Sequence, residues 1–223
     1  ASIMNHMQLN KLFSDRQFGF LPGRSTILQL LTVLDKWTET IDKGECTDVI
    51  YCDFQKAFDK VPHRRLLLES KNYGLDGKLL DWTTDFLTDR RQRVTMQGQV
   101  STWTKVTSGI PQGTVLGPVL FILYINSLPS VINNSELYLF ADDTKLFHNI
   151  STTSQCIELQ DDLNKFCEWT ENSLLKLNQE KCKHLRIGKK EDPKFHYHLK
   201  DQPTVLIQAP SEKDLGVTFD QYL

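Results

Sequence analysis

Two adjacent aspartates, Asp142 and Asp143, stand between two short segments with the pattern of β-strands. The first segment is the apolar run 137–141, and the second is 144–147. Two such runs separated by two residues predict a β-hairpin. A tight hairpin turn favours Asn-Gly or Asp-Gly, because type I′ requires positive φ at both central residues. A pair of aspartates is an unfavourable choice for this turn and needs an explanation.

An ordinary solvated turn is one explanation, since aspartate side chains hydrogen-bond to nearby backbone groups. The other is that the carboxylates bind a hard divalent cation, which prefers oxygen ligands. Such a site needs a third carboxylate, and Asp53 is the candidate because it ends a short apolar strand at 48–53. Adjacent strand residues point to opposite faces, so Asp142 and Asp143 cannot be equivalent. We expect Asp53 and Asp142 to bridge two metal ions.

Composition limits the class of protein. The 223 residues are 39% hydrophobic, which suffices for one large globular domain or two small ones. The net charge of -2 does not by itself indicate nucleic-acid binding, although basic residues cluster at 63–65 and 90–93. Five cysteines without a C-x-x-C pair predict free thiols and an intracellular location, nuclear or cytoplasmic. The longest apolar run, 119–125, is far shorter than the ~20 residues of a membrane span, so we expect no membrane association.

Helical and strand-like patterns mix irregularly along the chain, which favours an α+β fold over a doubly wound parallel sheet. Asp59 is a plausible cap for a helix that Pro62 opens. An amphipathic helix is predicted at 26–41, capped by Ser25 or Thr26, with Ile27, Leu30, Leu31, Leu34 and Trp37 on its inner face. Further helices are predicted at 63–72, 79–87, beyond Gly117-Pro118 and at 151–169, with a hairpin around Gly98 and strand-like pieces at 195–199 and 214–219.

Six segments in chain order resemble consecutive motifs of reverse transcriptases. The form resembles the LINE-type, non-LTR retrotransposon enzymes, because FADD and the extension VLGP favour that group over the retroviral one. The segments are QFGFLPGRST (17–26), DFQKAFDKVPH (53–63), SGIPQGTVLGP (108–118), FADD (140–143), 177–182 and 213–218. The resemblance extends from about Gln17 to Asp220 and covers most of the chain.

The resemblance implies a polymerase palm, with a small antiparallel sheet flanked by helices, plus part of the fingers. Residues 1–47 would be a partial fingers segment and 48–223 the palm, with a fingers insertion around 60–105, together one reverse transcriptase domain. We expect the thumb beyond Leu223 and an endonuclease upstream of the chain. The oligomeric state is left open.

The implied activity is RNA-directed DNA polymerisation, in which two Mg²⁺ ions, or Mn²⁺ in their place, assist transfer of a dNTP to a DNA primer on an RNA template. Asp53, Asp142 and Asp143 would be the catalytic and metal-binding residues, and Asp143 would be peripheral or would orient the primer end. The nucleotide-binding residues would be Arg24, Phe54 through its carbonyl, Phe58 beside the sugar, Gln112, Gly113 and Lys181. Without the resemblance, Phe58 also fits a core position, and Arg24 and Lys181 also fit the solvated surface.

Two positions depart from the pattern of the resembled family. Leu21 stands where many relatives have arginine, and Ser127 stands where an acid often follows Asn126. Neither is an expected metal ligand. The alternatives are a retroelement remnant that binds nucleic acid without polymerising, a related polymerase that copies RNA into RNA or serves an intron, and an aspartic protease. The protease would need Asp-Thr-Gly or Asp-Ser-Gly, which the chain lacks, and Phe58 argues against RNA synthesis.

Overall fold

A computed structural model describes residues 2–189, 193–200 and 205–223. The chain forms two compact units: a helical unit, Ala1–Phe13 with Lys56–Ile125, and a sheet unit, Ser14–Gln55 with Asn126–Leu223.

The helices are α1 (Ser2–Leu9), α2 (Thr26–Asp42), α3 (Ala57–Lys60), α4 (His63–Asn72), α5 (Gly77–Leu87), α6 (Leu116–Ile125) and α7 (Thr153–Asn172), with a 3₁₀ turn at Leu128–Val131. The strands are β1 (Cys46–Cys52), β2 (Arg91–Gln92), β3 (Thr95–Met96), β4 (Gln99–Val100), β5 (Thr104–Lys105), β6 (Glu136–Phe140), β7 (Asp143–Ile150), β8 (Lys183–Ile187), β9 (Ile207–Gln208), β10 (Ser211–Asp214) and β11 (Val217–Asp220). The mixture of helices and small sheets confirms the predicted α+β class, whereas the division into fingers and palm stays a prediction.

Five strands in the order β6-β7-β1-β8-β9 form the main sheet of the sheet unit. Neighbouring strands are antiparallel except for the parallel pair β8 and β9. Val49 in the central strand lies opposite Phe147 on one side and Leu185 on the other. Because alternate residues point to opposite faces, these three side chains share one face and Asp48 lies on the other.

Helix α2 covers the face of the sheet that carries Val49. As predicted, Ser25 caps this helix, its hydroxyl oxygen accepting a hydrogen bond from the Leu28 N–H. The predicted inner face is wrong at Ile27 and Leu31, whose side chains are 67% and 59% exposed. The stripe against the sheet keeps the predicted Leu30 and Trp37 and has Val33 in place of Ile27 and Leu31.

That buried stripe consists of Leu30, Val33 and Trp37, which follow each other at helical spacings of three and four residues. The ring of Trp37 meets Phe147 with centroids 5.7 Å apart and Phe219 at 5.4 Å, both nearly edge-on. Edge-to-face aromatic pairs contribute about 0.5–1.5 kcal/mol beyond the area that they bury. The packing of Trp37 therefore fixes the orientation of α2 on the sheet.

Helix α7 belongs to the opposite face of the sheet. Thr152 and Gln155 form a capping box at its start. Its inward residues are Leu159, Leu163 and Phe166, which follow each other at helical spacings and are all fully buried. All five cysteines of the chain are buried thiols, as expected.

A charged cluster is also buried on the face of α7. Asp48 is fully buried and accepts hydrogen bonds from both Nε and Nη2 of Arg186, each 2.7 Å long, and from the Tyr197 hydroxyl at 2.7 Å. His184 Nε2 lies 3.0 Å from the same carboxylate. Burial alone would raise the pKa of Asp48, but the hydrogen bonds from Arg186 and His184 lower it to about 2. The carboxylate is therefore ionised in the folded protein.

The helical unit agrees with several sequence predictions and corrects one. Helix α4 begins at His63 directly after Pro62, and β3 and β4 pair across the turn at Gln97-Gly98. The prediction that Asp59 caps α4 is wrong, because Asp59 lies inside the preceding short helix α3. Helix α6 is buried from residue 120 to its end and half-buried over most of its first turn. Among the described residues, no helix combines the length and apolar character that a membrane crossing requires.

The C-terminal segments differ from the predicted strands. Among the described residues, the piece at 195–199 forms an isolated bridge between His198 and Val205 and no strand. The piece at 214–219 is not one strand but part of the hairpin of β10 and β11, which turns at Leu215-Gly216. Gly216 has φ +95°, a conformation that favours glycine, and this local turn signal reverses the chain.

Candidate active site

The predicted hairpin around the paired aspartates is present, but its turn is Ala141-Asp142 and not Asp142-Asp143. Phe140 pairs with Asp143, so Asp143 is the first residue of β7. Ala141 has φ +55°, a left-handed conformation that costs a residue with a side chain about 1–3 kcal/mol. The shift by one residue places Asp142 in the turn and Asp143 on a strand.

Asp53 lies at the same edge of the sheet as the hairpin turn. Cys52, the last residue of β1, is opposite Thr144 near the start of β7. The chain therefore leaves β1 where β7 begins, and the next residue, Asp53, emerges beside the paired aspartates. Strand register, which the sequence alone does not fix, brings the three carboxylates to one edge.

The carboxylates influence each other electrostatically. Desolvation raises the pKa of Asp142, and the negative charge of Asp53 raises it further. The pKa of Asp143 is raised by desolvation and then by the charges of Asp142 and Asp214. Ionising all three aspartates together is thus unfavourable unless a cation offsets the repulsion.

The chemistry of these side chains fits magnesium, a hard cation that takes oxygen ligands and is often bound through one or two carboxylates, waters and substrate phosphates. Within residues 2–189, 193–200 and 205–223, however, no group of three or more His, Cys, Asp or Glu side chains is arranged to hold a metal ion. The fit to magnesium therefore rests on the oxygen ligands that the carboxylates offer and on the repulsion between their charges. Asp53, Asp142 and Asp143 stay predicted ligands.

The segment 176–178 brings Lys181 close to Asp53. The Asn178 N–H donates to the Asp53 carbonyl at 2.7 Å, and the Gln55 N–H donates to the Lys176 carbonyl at 2.8 Å. Lys181 Nζ lies 3.4 Å from Asp53 Oδ2, and 64% of the lysine side chain is exposed. An exposed pair at this distance contributes little to stability, so the ammonium group can exchange Asp53 for another anion.

Phe54 contributes its side chain to the core. It is 5% exposed, and its ring lies 6.0 Å from that of Phe166. Only its backbone is left for the predicted role near a metal ion, and that role stays a prediction.

A cavity of about 380 Å³ opens beside Asp53 and Asp143. Its wall includes a buried ion pair between Lys145 and Asp214, and the buried hydroxyl of Tyr51, which has no hydrogen-bond partner among the described residues. Desolvation lowers the pKa of Lys145 and raises that of Asp214, while their mutual attraction opposes both shifts. Sequence reasoning missed this pair, since two charged residues 69 positions apart carry no local sign of burial.

Arg24 is held within the sheet unit by its own neighbours. Its guanidinium group donates to the carbonyl of Gln17 at 2.8 Å and forms an ion pair with Asp15 at 2.9 Å. It also lies over the ring of Phe18, 5.1 Å from the centroid. The ion pair leaves the Asp15 side chain 98% exposed and is therefore weak. The predicted triphosphate contact of Arg24 stays a prediction.

The predicted nucleotide-binding residues Phe58, Gln112 and Gly113 belong to the helical unit. The Phe58 ring is half-buried and stacks on Phe121, with centroids 4.3 Å apart and planes at 20°. The Ile110 N–H donates to the Phe58 carbonyl at 2.8 Å, and Gln112 Nε2 donates to Asp59 Oδ1 at 2.9 Å. The loop that carries Gln112 is thus attached to the segment that carries Phe58.

Two glycines of this loop, Gly109 and Gly113, have a positive φ that favours glycine, and Gly109 is also crowded by its neighbours. A Cβ at Gly109 would lie 2.7 Å from the Asp59 carbonyl oxygen, so a side chain would separate the loop from that segment. Gly113 has φ +75° and open space around it, so its backbone conformation favours glycine and crowding within the protein does not. Beside the loop, a cavity of about 560 Å³ is lined by four basic residues, Lys56, Lys60, Arg90 and Lys105, and one acid, Asp59.

Sequence reasoning also missed a buried contact of the hairpin turn. Gln17, placed only in a fingers-like motif, is fully buried and bonds through its side chain to the backbone of Ala141. The sequence carries no clear signal of this contact, since Gln17 lies between Arg16 and Phe18 and glutamine is mostly exposed in proteins.

Relatives of this chain include polymerases of mobile elements. The chain is 29% identical over 226 residues to the probable RNA-directed DNA polymerase from transposon X-element of Drosophila melanogaster, covering 99% of this chain and 25% of that protein. It is 28% identical over 240 residues to the RNA-directed DNA polymerase from mobile element jockey of the same species, covering 100% of this chain and 26% of that protein. The chain thus spans about a quarter of the length of these curated relatives. The relatives confirm the predicted resemblance to the LINE-type, non-LTR group.

Solved structures of similar fold include telomerases. The structure of apo telomerase from Candida tropicalis has a TM-score of 0.66 at 12% identity, covering 99% of this chain and 38% of that one. The same enzyme truncated from its C-terminal domain has a TM-score of 0.62 at 13% identity, covering 98% of this chain and 43% of that one. At these identities the likeness concerns the fold. The family model described as reverse transcriptase (RNA-dependent DNA polymerase) matches residues 1–219, and the chain belongs to that family.

Proposed function

We propose that this domain catalyses RNA-directed DNA synthesis by two-metal nucleotidyl transfer. The observation that carries the proposal is that strand register brings Asp53, Asp142 and Asp143 to one edge of the sheet, where desolvation and their charges raise the pKa values of Asp142 and Asp143. Family membership supports the same activity. The proposed partners are an RNA template, a DNA primer and dNTPs, and the proposed setting is inside the cell, in the nucleus or the cytoplasm.

In the proposed reaction the primer 3′-hydroxyl loses its proton to water, its oxygen attacks the α-phosphorus of the dNTP, and the bond to the bridging oxygen breaks to release pyrophosphate. Asp53 and Asp142 would hold two Mg²⁺ or Mn²⁺ ions, with the Phe54 carbonyl near the second and Asp143 at the periphery or orienting the primer end. When bound, such ions lower the pKa of the attacking hydroxyl and neutralise charge on the leaving group.

The side chains of this chain would supply binding and one proton. Lys181, whose ammonium group is exposed and only loosely paired with Asp53, would donate a proton to the leaving pyrophosphate. Arg24 would bind the triphosphate by exchanging Asp15 for phosphate oxygens. Phe58 would exclude a 2′-hydroxyl, and Gln112 and Gly113 would contact the incoming nucleotide.

The test is primer extension on an RNA template by the polypeptide that carries this domain, with Asp142→Asn as the variant. The amide keeps the shape of the side chain but removes a charged ligand, so the extension rate should fall at least ~10³-fold, about 4 kcal/mol of transition-state stabilisation. Asp161→Asn, the same change at an exposed aspartate of α7, is the control and should leave the rate unchanged. The stability of Asp142→Asn should be equal or slightly higher in metal-free buffer, because one repelling charge is gone.

Two outcomes would contradict the proposal. Near-normal extension by Asp142→Asn would reduce the paired aspartates to an ordinary turn. RNA binding without any extension by the unaltered polypeptide would favour a nucleic-acid-binding remnant instead.

A further inference from the structure

The strand that leads into the aspartate turn has a second neighbour outside the main strand order. Gln17 forms an isolated parallel bridge with Leu139 of β6. The Phe18 N–H donates to the Leu139 carbonyl at 2.8 Å, and the Leu139 N–H donates to the Arg16 carbonyl at 2.9 Å. The segment 16–19 therefore runs along β6 toward the turn that holds Asp142.

The side chain of Gln17 ends at that turn. Its Oε1 accepts hydrogen bonds from the Ala141 N–H at 2.9 Å and from the Gly19 N–H at 2.7 Å. Gln17 is fully buried, so water does not replace these bonds easily. One carbonyl oxygen thus ties the turn to the segment 16–19.

Gly19 allows this close approach. A Cβ built at Gly19 would lie 2.3 Å from the Ala141 nitrogen, a distance that no side chain tolerates without displacement of the turn. Ala141 has φ +55°, and it directly precedes Asp142. A non-glycine residue in this conformation persists only where its surroundings hold it, and Gln17 and Gly19 are those surroundings.

We infer that Gln17 is a positioning residue for Asp142. Its amide oxygen fixes the N–H of Ala141 and thereby the direction in which the next residue presents its carboxylate. The inference rests on the proposed function, because it assigns the turn a metal-binding role, but it concerns a residue that would not touch the metal, the nucleotide or the primer.

The test compares Gln17→Met with Gln29→Met in the polypeptide that carries this domain. Methionine keeps the approximate volume and removes the amide. Gln29 is the matched control, since it is equally buried and donates from Nε2 to the Leu139 carbonyl at 2.9 Å, on the same hairpin but before the turn. Three quantities are measured: Mn²⁺ affinity by electron paramagnetic resonance, hydrogen exchange at the Ala141 amide, and kcat and KM for dNTP in primer extension.

We expect Gln17→Met to weaken Mn²⁺ binding at least fivefold, to accelerate exchange at Ala141 at least tenfold, and to lower kcat at least tenfold with KM within twofold. Gln29→Met should change Mn²⁺ affinity by less than twofold. Gly19→Ala displaces the turn while Gln17 is intact, and it should weaken Mn²⁺ binding as Gln17→Met does. This variant replaces Gln17→Met in the test if Gln17→Met does not fold.

The results separate the inference from the proposed function. Absence of Mn²⁺ binding by the unaltered polypeptide would contradict the metal site, and the exchange rate of Ala141 would still test Gln17. Unchanged Ala141 exchange in folded Gln17→Met, or Mn²⁺ affinities equal to those of the unaltered protein in both Gln17→Met and Gly19→Ala, would overturn the inference.

Discussion

Replacing Phe58 by alanine tests whether its ring lies beside the sugar of the incoming nucleotide. The stack on Phe121, 4.3 Å between centroids, holds the ring in one orientation. If the ring lies beside the sugar, a ring held in this way would exclude a 2′-hydroxyl by overlap. Phe58→Ala should therefore raise the use of ribonucleotides relative to deoxyribonucleotides by roughly tenfold, the ratio that ~1.4 kcal/mol of lost discrimination gives.

The same substitution has a cost in stability. Removal of a fully buried phenylalanine costs about 3–5 kcal/mol, of which an aromatic stack accounts for about 0.5–1.5 kcal/mol. Phe58 is only half-buried, so we expect a loss of about 2 kcal/mol in the free energy of unfolding, measured by denaturant titration. Deoxyribonucleotide incorporation should fall modestly because packing is lost.

The assay is extension by a single matched dNTP or rNTP on an RNA template, expressed as the ratio of the two rates. Phe121→Leu is the control: it keeps the Phe58 ring, removes its stacking partner and conserves most of the buried volume. Its ratio should rise less than that of Phe58→Ala. An unchanged ratio in folded Phe58→Ala would place Phe58 in the core and remove it from the nucleotide site.

Three further predictions follow from contacts in the two units. Asp59→Ala should raise the KM for dNTP about fivefold, since Gln112 loses a hydrogen bond to a carboxylate worth about 1 kcal/mol. Asp59→Asn keeps an acceptor oxygen and should restore most of the loss. Equal KM values in all three proteins would refute a role of this hydrogen bond in nucleotide binding. Ionised Asp48 contributes its full stabilisation above the unfolded-state pKa, and this contribution is lost as the pH falls through the depressed folded-state pKa of about 2. The free energy of unfolding should therefore fall by about 2 kcal/mol between about pH 4 and pH 2, and Asp48→Asn should lack this step in acid titrations followed by circular dichroism. Thr152→Ala removes the cap at the start of α7 and should lower the free energy of unfolding by about 1 kcal/mol, and with it the melting temperature, without altering primer extension. A change in the extension rate would contradict a purely structural role of this cap.

Local signals in the sequence determined much of the secondary structure. The cap and apolar spacing of α2 and the apolar spacing of α7 predicted the extents of both helices to within a few residues, because capping and helical periodicity depend on neighbours in the chain. The hairpin at the paired aspartates was predicted for the same reason, and the order of the motifs was sufficient to predict the family.

The strand register and the buried stripe of α2 required tertiary structure. The turn falls at Ala141-Asp142 because the pairing of Phe140 with Asp143 and the contact from Gln17 decide it, and a preference for turn residues does not encode either. Likewise Ile27 is exposed and Val33 buried, although both suit an apolar stripe, since the sheet selects which stripe it covers.

The buried polar contacts were beyond sequence reasoning altogether. Asp48 with Arg186, Lys145 with Asp214, and Gln17 with Ala141 join residues that lie far apart in the chain. Residue type alone predicts that charged and amide side chains are exposed. Only the folded backbone brings their partners within hydrogen-bonding distance, where a bond compensates for the loss of water and makes burial possible.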